Sequence, residues 1–466
     1  MIIPFRQVLP LAAAMLAGCA APATLTTPPP PATAWDAPGA RNPLIPGYFA
    51  DPSIVQHDGE WFVYATIDPW GGDRLGLWRS RDGRDWTFSM PGWPTKQAAT
   101  SPTSNGSRVW APSVVRGVDG RFWMYVSVGS EVWVGVADHP AGPWRDANGG
   151  RPLIPGNFRP GYHMIDAEAF IDDDGQAYLY WGSGLNWING RCFVVKLKAD
   201  MVTFDGEVRD VTPANYFEGP FMFKANGRYF LTYSNGNTTK DTYQVRYAVG
   251  ASPLGPFTEP EDKPILATDA AQAIISPGHH AIFTAEGRPF ILYHRHALPF
   301  PRDDDQVLRQ IAVDPLVVEG DRLRVVTPTH HGADVPGFAS HRPAGLRATL
   351  TGSREGAVRA GDDNHATAWQ AEAGGWLAAD LGRVTDIGPS EVRPAFAAQP
   401  FALMAEASAD GRQWRTLLPQ QTVSGSPVII PAAGRARYLR LRLPQPAAVL
   451  EWRILPPGPT ERTAPR

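Results

Sequence analysis

Ile165-Asp166-Ala167-Glu168-Ala169-Phe170-Ile171-Asp172-Asp173-Asp174-Gly175-Gln176-Ala177-Tyr178-Leu179-Tyr180-Trp181-Gly182 reads as a hairpin. A short apolar strand opens on a carboxylate, a turn runs through Asp174-Gly175, and a second strand rich in aromatics follows. Asp-Gly between two apolar runs is a strong local hairpin signal, because glycine accepts the positive φ of a tight turn. The unit recurs at Asp58-Gly59 with Trp61 and Tyr64, at Asp119-Gly120 with Phe122 and Tyr125, at Asn226-Gly227 with Tyr229 and Tyr233, and at Glu286-Gly287 with Phe290 and Tyr293. The turn glycines at 59, 120, 175, 227 and 287 are spaced by 61, 55, 52 and 60 residues. Self-similarity at this period marks a repeat architecture, and all-β units of this size predict propeller blades of four strands. Five units make a five-bladed β-propeller.

Eight or nine residues before four of those glycines stands an ionisable side chain: Asp51, Asp166, Glu218 and His279. In the second copy the place is held by Trp110-Ala111-Pro112. A propeller gathers the starts of its inner strands at its axis, so these residues are expected to share one pocket. Three carboxylates and a histidine in an uncharged setting point to acid–base work or to metal binding. Cleaving an acetal needs one carboxylic acid to protonate the leaving oxygen and one carboxylate to activate water. A third carboxylate nearby raises the acid's pKa by like-charge repulsion.

The chain has 466 residues, 43% of them hydrophobic, with a net charge of −3, which suits two domains with real cores and no nucleic-acid partner. Gly and Pro number 46 and 47, as a chain of many short strands and turns requires. Sixteen Trp fit broad sheets that pack large side chains between them. Trp110, Tyr162, Trp181, Trp187 and Phe217 stand near strand ends facing the axis, where a ligand-stacking role and core packing are both open.

At the start, Arg6 precedes an apolar run from Val8 to Ala17, about ten residues and too short to cross a bilayer. Leu16-Ala17-Gly18-Cys19 resembles the lipobox of bacterial lipoproteins, in which Cys19 is lipidated. Cys192, the remaining cysteine, then has no partner, so no disulfide is expected. Residues 1–18 read as a lipoprotein signal peptide, 19–40 as a Pro-rich tether, 41–338 as the propeller, 339–456 as a β-sandwich and 457–466 as a disordered tail. Within the sandwich, Gly361-Asp362-Asp363-Asn364, Gly375-Trp376, Asp380-Leu381-Gly382, Ser408-Ala409-Asp410-Gly411 with Trp414, and Tyr438 to Leu443 occur in that order. They resemble the discoidin-like (F5/8 type C) fold, many of whose members bind carbohydrate. A structural cap and a glycan-binding module are both open.

Across 42–330 the chain resembles glycoside hydrolase family 43, a family of five-bladed propellers. The resemblance rests on Pro46-Gly47 with Ala50-Asp51-Pro52, Trp110-Ala111-Pro112, Ile165-Asp166, Glu218-Gly219-Pro220, and Gly278-His279 with Tyr293-His294. It implies an inverting hydrolase with Asp51 as general base, Asp166 as pKa modulator and orienter, and Glu218 as general acid. It implies His279 facing the axis, often through water to a calcium or sodium ion, and Arg309 against the terminal sugar. Trp110 and Phe217 are the expected sugar-stacking residues, while His280, His294 and His296 read as structural or rim residues. The activity implied is removal of terminal pentose units from plant cell-wall polysaccharide or oligosaccharide, α-L-arabinofuranosidase ahead of β-xylosidase and endo-arabinanase. A non-catalytic surface glycan-binding lipoprotein is the rival from a different class, and membrane contact is expected through the lipid anchor only.

Overall fold

Each hairpin repeat folds as one antiparallel sheet in a computed structural model that describes residues 34–458 apart from 105, 107, 299–306, 341, 343 and 344. The expected signal peptide, Cys19, most of the expected tether and the residues beyond 458 lie outside the described residues. Three hairpins turn on two consecutive positive-φ residues, Asp58-Gly59, Asn226-Gly227 and Glu286-Gly287, the backbone that matches strand twist. The Asp119-Gly120 and Asp174-Gly175 turns have a positive φ at glycine alone and are one residue wider, with Gly117 bonded to Arg121 and Asp172 to Gln176.

The inner strands are Phe49–His57, Val109–Arg116, Glu168–Ile171, Glu218–Ala225 and Gly278–Ala285. Each packs against the next, and the fifth packs against the first, so the ring is closed. Between neighbouring blades lie apolar layers that account for most of the large side chains. Tyr64 and Leu77 of blade one meet Met124 and Trp133 of blade two. Tyr125 and Val134 of blade two meet Leu179 and Trp181 of blade three. Burying a side chain of this size contributes roughly 1.5–3 kcal/mol. Trp181 is wholly buried in such a layer and therefore packs the core.

Blades one, two and three have the four strands expected, but blades four and five have three each. In blade four the outer position is reduced to two isolated bridges, Val245 to Leu266 and Val249 to Thr258. Pro256 and Pro260 flank Thr258 and cannot donate to a ladder. In blade five the outer edge of Arg309–Pro315 is taken by the chain's own beginning: Leu44 N–H donates to Ile311 O at 2.7 Å, and Asn42 Oδ1 accepts Val313 N–H at 2.9 Å.

The C-terminal part is a sandwich of a five-stranded and a four-stranded sheet around a core that includes Trp369, Leu403 and Leu441. It is bonded to blade one. Phe88 N–H donates to Ser426 O at 2.7 Å, the buried Arg393 donates to Trp86 O at 2.5 Å, and Ala397 packs into the layer that holds Trp61 and Trp86. Residues 34–40, expected as the end of an extended tether, are instead turned against this sandwich. Asn364 Nδ2 donates to the carbonyls of Trp35 and Ala37, and Gly39 N–H to Asp362 O.

Candidate active site

Every inner strand opens with the same kink. Asp51, Ala111, Asp166, Gly219 and His279, one per blade, have φ of 50°, 45°, 58°, 58° and 39°. In four blades the strand register slips at this point. A bulge of this kind re-aims a side chain, here toward the axis. Four of the five are not glycine, and each such residue costs on the order of 1 kcal/mol or more, strain that collects at functional sites.

The N–H of each kinked residue is held by the blade before it. Ala111 N–H donates to Thr66 Oγ1 at 2.8 Å, Asp166 N–H to Ser127 Oγ at 3.0 Å, and His279 N–H to Ser234 Oγ at 2.9 Å. Gly219 N–H reaches the Asp166 carboxylate. Asp51 N lies 3.3 Å from His294 Nδ1 and closes the circle. The strain is thus supported by a ring of hydrogen bonds that runs through the site itself.

These strand starts enclose a cavity of about 490 Å³ lined by Asp51, Asp166, Glu218 and His279 together with Trp110, Phe217 and Arg309. All the residues expected to form the site are therefore brought together. Asp51 is 3% exposed and closely surrounded: Thr66 Oγ1 at 2.7 Å and Arg309 Nη1 at 3.1 Å donate to its carboxylate, and His294 Nδ1 at 3.1 Å and His279 Nδ1 at 3.2 Å lie against it. Burial alone would raise its carboxyl, but the Arg309 guanidinium and the two imidazoles outweigh it and hold Asp51 well below the carboxylate range. It is a fixed anion.

Glu218 stands one residue before its kink, so its carboxyl occupies the position that Trp110 occupies in blade two. Ser183 Oγ donates to Glu218 Oε2 at 2.8 Å and Tyr243 Oη to Oε1 at 2.7 Å. Burial raises its pKa despite these donors and the His279 charge. Burial likewise raises Asp166, and the neighbouring Glu218 and Asp51 charges push the same way. One carboxylate is held ionised while another, across the cavity, is held toward its neutral acid. That separation is what an acid and a base acting together need.

The family model described as "Glycosyl hydrolases family 43" matches residues 40–322. The chain belongs to glycoside hydrolase family 43. A curated relative, the β-D-galactofuranosidase xynD of Aspergillus niger, is 34% identical over 272 residues, covering 55% of this chain and 76% of the relative. The arabinoxylan arabinofuranohydrolase of Bacillus subtilis is 28% identical over 298 residues, and the chain spans 58% of its length. A solved structure titled simply "Glycoside hydrolase" superposes with a TM-score of 0.74 at 28% identity, covering 91% of this chain and all of that one.

Family membership makes the chain a hydrolase of glycosidic bonds, and three of its features differ in detail from what the sequence suggested. Arg309, expected against the terminal sugar, reaches the cavity wall but engages Asp68 through Nε at 3.1 Å and Nη2 at 2.7 Å, and Asp51 through Nη1. Trp70 covers its guanidinium at 4.8 Å. His294, expected as a structural or rim residue, touches Asp51. His279 turns Nδ1 to Asp51 rather than to an open axis. A calcium ion takes six to eight oxygen ligands. Among the described residues no three His, Cys, Asp or Glu side chains are grouped to hold one ion. The residues present do not make such a shell, and no step below is routed through a metal.

Sequence reasoning missed Thr66, Asp68, Ser127, Ser183, Ser234 and Tyr243. A signal for several of them exists: Tyr64-Ala65-Thr66, Tyr125-Val126-Ser127, Tyr233-Ser234 and Tyr293-His294 close the second strand of four repeats with a side chain able to accept a hydrogen bond.

Proposed function

We propose that the protein is an inverting, exo-acting α-L-arabinofuranosidase that removes terminal units from arabinose- or xylose-containing polysaccharide or oligosaccharide. The observation that carries this reading is the pairing of Asp51, a buried anion, with Glu218, a carboxyl raised toward its acid form, in one cavity. Glu218 gives its proton to the leaving glycosidic oxygen as the C1–O bond breaks. Asp51 takes a proton from the water that forms the new bond to C1. Asp166, whose carboxylate meets the Gly219 N–H, orients the strand start that carries Glu218. When Glu218 is protonated, one of its two hydroxyl partners turns to accept.

The cavity mouth supports exo action. Trp187, in the tight turn Leu185 to Ile188, stands 6.5 Å from Trp70 and 5.8 Å from Phe217 between ring centroids. These three rings form a wall on one side, which suits a pocket for a chain end better than a groove for a chain interior. Gly184 and Gly190 hold the turn down, since a Cβ at either would lie within 2.7 Å of Phe217.

A second reading, β-D-galactofuranosidase, is favoured by the Aspergillus relative of that name. β-D-Galactofuranose has the ring configuration of α-L-arabinofuranose with one further carbon, so one pocket chemistry serves both. Hydrolysis of 4-nitrophenyl α-L-arabinofuranoside, β-D-galactofuranoside and β-D-xylopyranoside decides the sugar. The expected order of kcat/KM puts the arabinofuranoside first. Proton NMR at early times should show the anomer inverted, because the base needs room for water at roughly 6.5–9.5 Å from the acid. A retained anomer would make Asp51 a nucleophile and end the proposal. Export and anchoring through Cys19 rest on Leu16-Ala17-Gly18-Cys19, and Cys19→Ser should move the protein from the membrane to the soluble fraction.

A further inference from the structure

We propose that Tyr243 and His294 form a two-ring spacer that fixes the distance between the acid and the base, with Tyr243 as the positioning residue. The inference rests on the reading of Glu218 as acid and Asp51 as base. The two rings are parallel, 3° apart in orientation with centroids 5.6 Å apart, and both side chains are almost wholly buried. At one end Tyr243 Oη donates to Glu218 Oε1 at 2.7 Å; at the other His294 Nδ1 lies 3.1 Å from Asp51 Oδ1. The arrangement is carboxyl, ring, ring, carboxylate, and it joins blades four, five and one.

The stack has nowhere to go. A Cβ on Gly278 would lie 2.2 Å from Tyr243 Cε1 and 2.3 Å from Cδ1, so glycine is required there for the ring to sit where it does. A Cβ on Gly236 would lie 2.1 Å from Thr242 O, so the backbone entering Tyr243 is also pressed against its neighbour. His294 is braced on its far side by Thr238, whose Oγ1 is 3.4 Å from Nε2. Burial, reinforced by the Arg309 charge, lowers His294 to about 3, so the ring stays neutral and cannot swing out as a cation at working pH. An inverting enzyme depends on the gap between its carboxyl groups, and here that gap is set by two flat rings that cannot compress.

The groups facing Glu218 are Asp166 from blade three, Asp51 from blade one, His279 from blade five, and Tyr216 and Tyr243 from blade four. Tyr243 is the one that donates to Oε1. Three variants separate the hydroxyl from the ring. Tyr243→Phe keeps the stack and removes a donor that favours the ionised carboxyl, so the alkaline limb of kcat/KM should move to higher pH while kcat falls less than about tenfold. Tyr243→Ala removes the spacer and should lower kcat about a hundredfold on natural and activated aryl glycosides alike, since both carboxyl groups lose their spacing. Gly278→Ala leaves Tyr243 in place chemically but displaces its ring, and should reproduce the kcat loss at little change in KM. Melting curves confirm that each variant is folded, and the Phe variant, which changes one atom, carries the test if the others unfold.

An unmoved alkaline limb in Tyr243→Phe, or equal kcat in the Phe and Ala variants, overturns the proposal. Glu218→Gln distinguishes this from failure of the underlying reading. As an acid variant it should lose natural substrates while keeping much of its activity on aryl glycosides with good leaving groups. If it loses both equally, the acid assignment falls and the spacer with it. If it discriminates while the Tyr243→Phe limb stays put, the spacer alone is wrong.

Discussion

Arg309 stands between two buried carboxylates, Asp51 and Asp68, and is the cation that holds both. Arg309→Met would leave that pair without its guanidinium. Removing one partner of a buried ion pair costs about 3–5 kcal/mol, because the charge left behind stays desolvated. Urea unfolding should register that loss. The rate profile carries a second sign. The Arg309 charge lowers Asp51 against the opposing effect of burial, so without it a proton binds Asp51 more readily and the acid limb of kcat/KM moves up in pH. Activity near pH 5 should fall more than activity near pH 7, and an unmoved acid limb would mean that Asp51 is not the group that must be ionised. At this scale the sequence was legible for the three carboxylates, because each stands within one residue of the same phase of a repeat. It was not legible for Asp68 or Tyr243. A single Asp before Pro69, or a Tyr at the end of a loop, has no periodic partner to compare with, and its role arises only where blades meet.

The kinked strand starts are legible only in part for a related reason. Their spacing can be read from the turn glycines, whereas the hydrogen bond that supports each kink comes from the preceding blade. Ser127 accepts Asp166 N–H at 3.0 Å. Ser127→Ala should leave that buried N–H without a partner and cost roughly 1–3 kcal/mol, read as a lower melting temperature. It should also lower kcat more than it raises KM, because Asp166 and, through Gly219, Glu218 lose their fixed orientation. A stability loss with unchanged kcat would separate the ring of bonds from catalysis. The strand count was the other miss at this scale. Hairpins announce themselves in two or three turn residues, but the outermost strand of a blade is short and is decided by prolines and by what lies alongside. Blade four loses its outer strand to Pro256 and Pro260, and blade five replaces it with residues from the other end of the propeller.

For the whole molecule, the sandwich belongs to the structural integrity of blade one. Arg342 pairs with Asp85 of that blade at 2.9 Å and with Glu451 of the sandwich, and Arg453 reaches Asp85 at 2.9 Å and Glu391 at 2.6 Å. Phe338 lies on Trp61 and Trp86. A chain ending at residue 340 should therefore be insoluble or melt several degrees lower. Retention of both melting temperature and turnover would make the sandwich a passenger. The sequence places a boundary at 338–339, but a boundary in sequence says nothing of how much surface is shared across it. A few buried arginines decided that, and each is an ordinary surface residue until its partners are known.

The junction where Asn42 and Leu44 complete blade five has a consequence in time. Asn42 Oδ1 meets Val313 N–H across 271 residues. Contacts of such separation form late, since the chain between must be arranged before its ends can meet. During synthesis the N-terminal end of the propeller emerges first, yet its last hydrogen bonds wait for residues near 313. Until then blade one has no neighbour on one side and blade five no outer edge. The growing chain is an open arc with two exposed flanks, and the pocket, which draws residues from every blade, comes into being only when the arc shuts. A nascent chain halted before that point would carry Asp51, Asp166 and Glu218 and still have no catalyst in it.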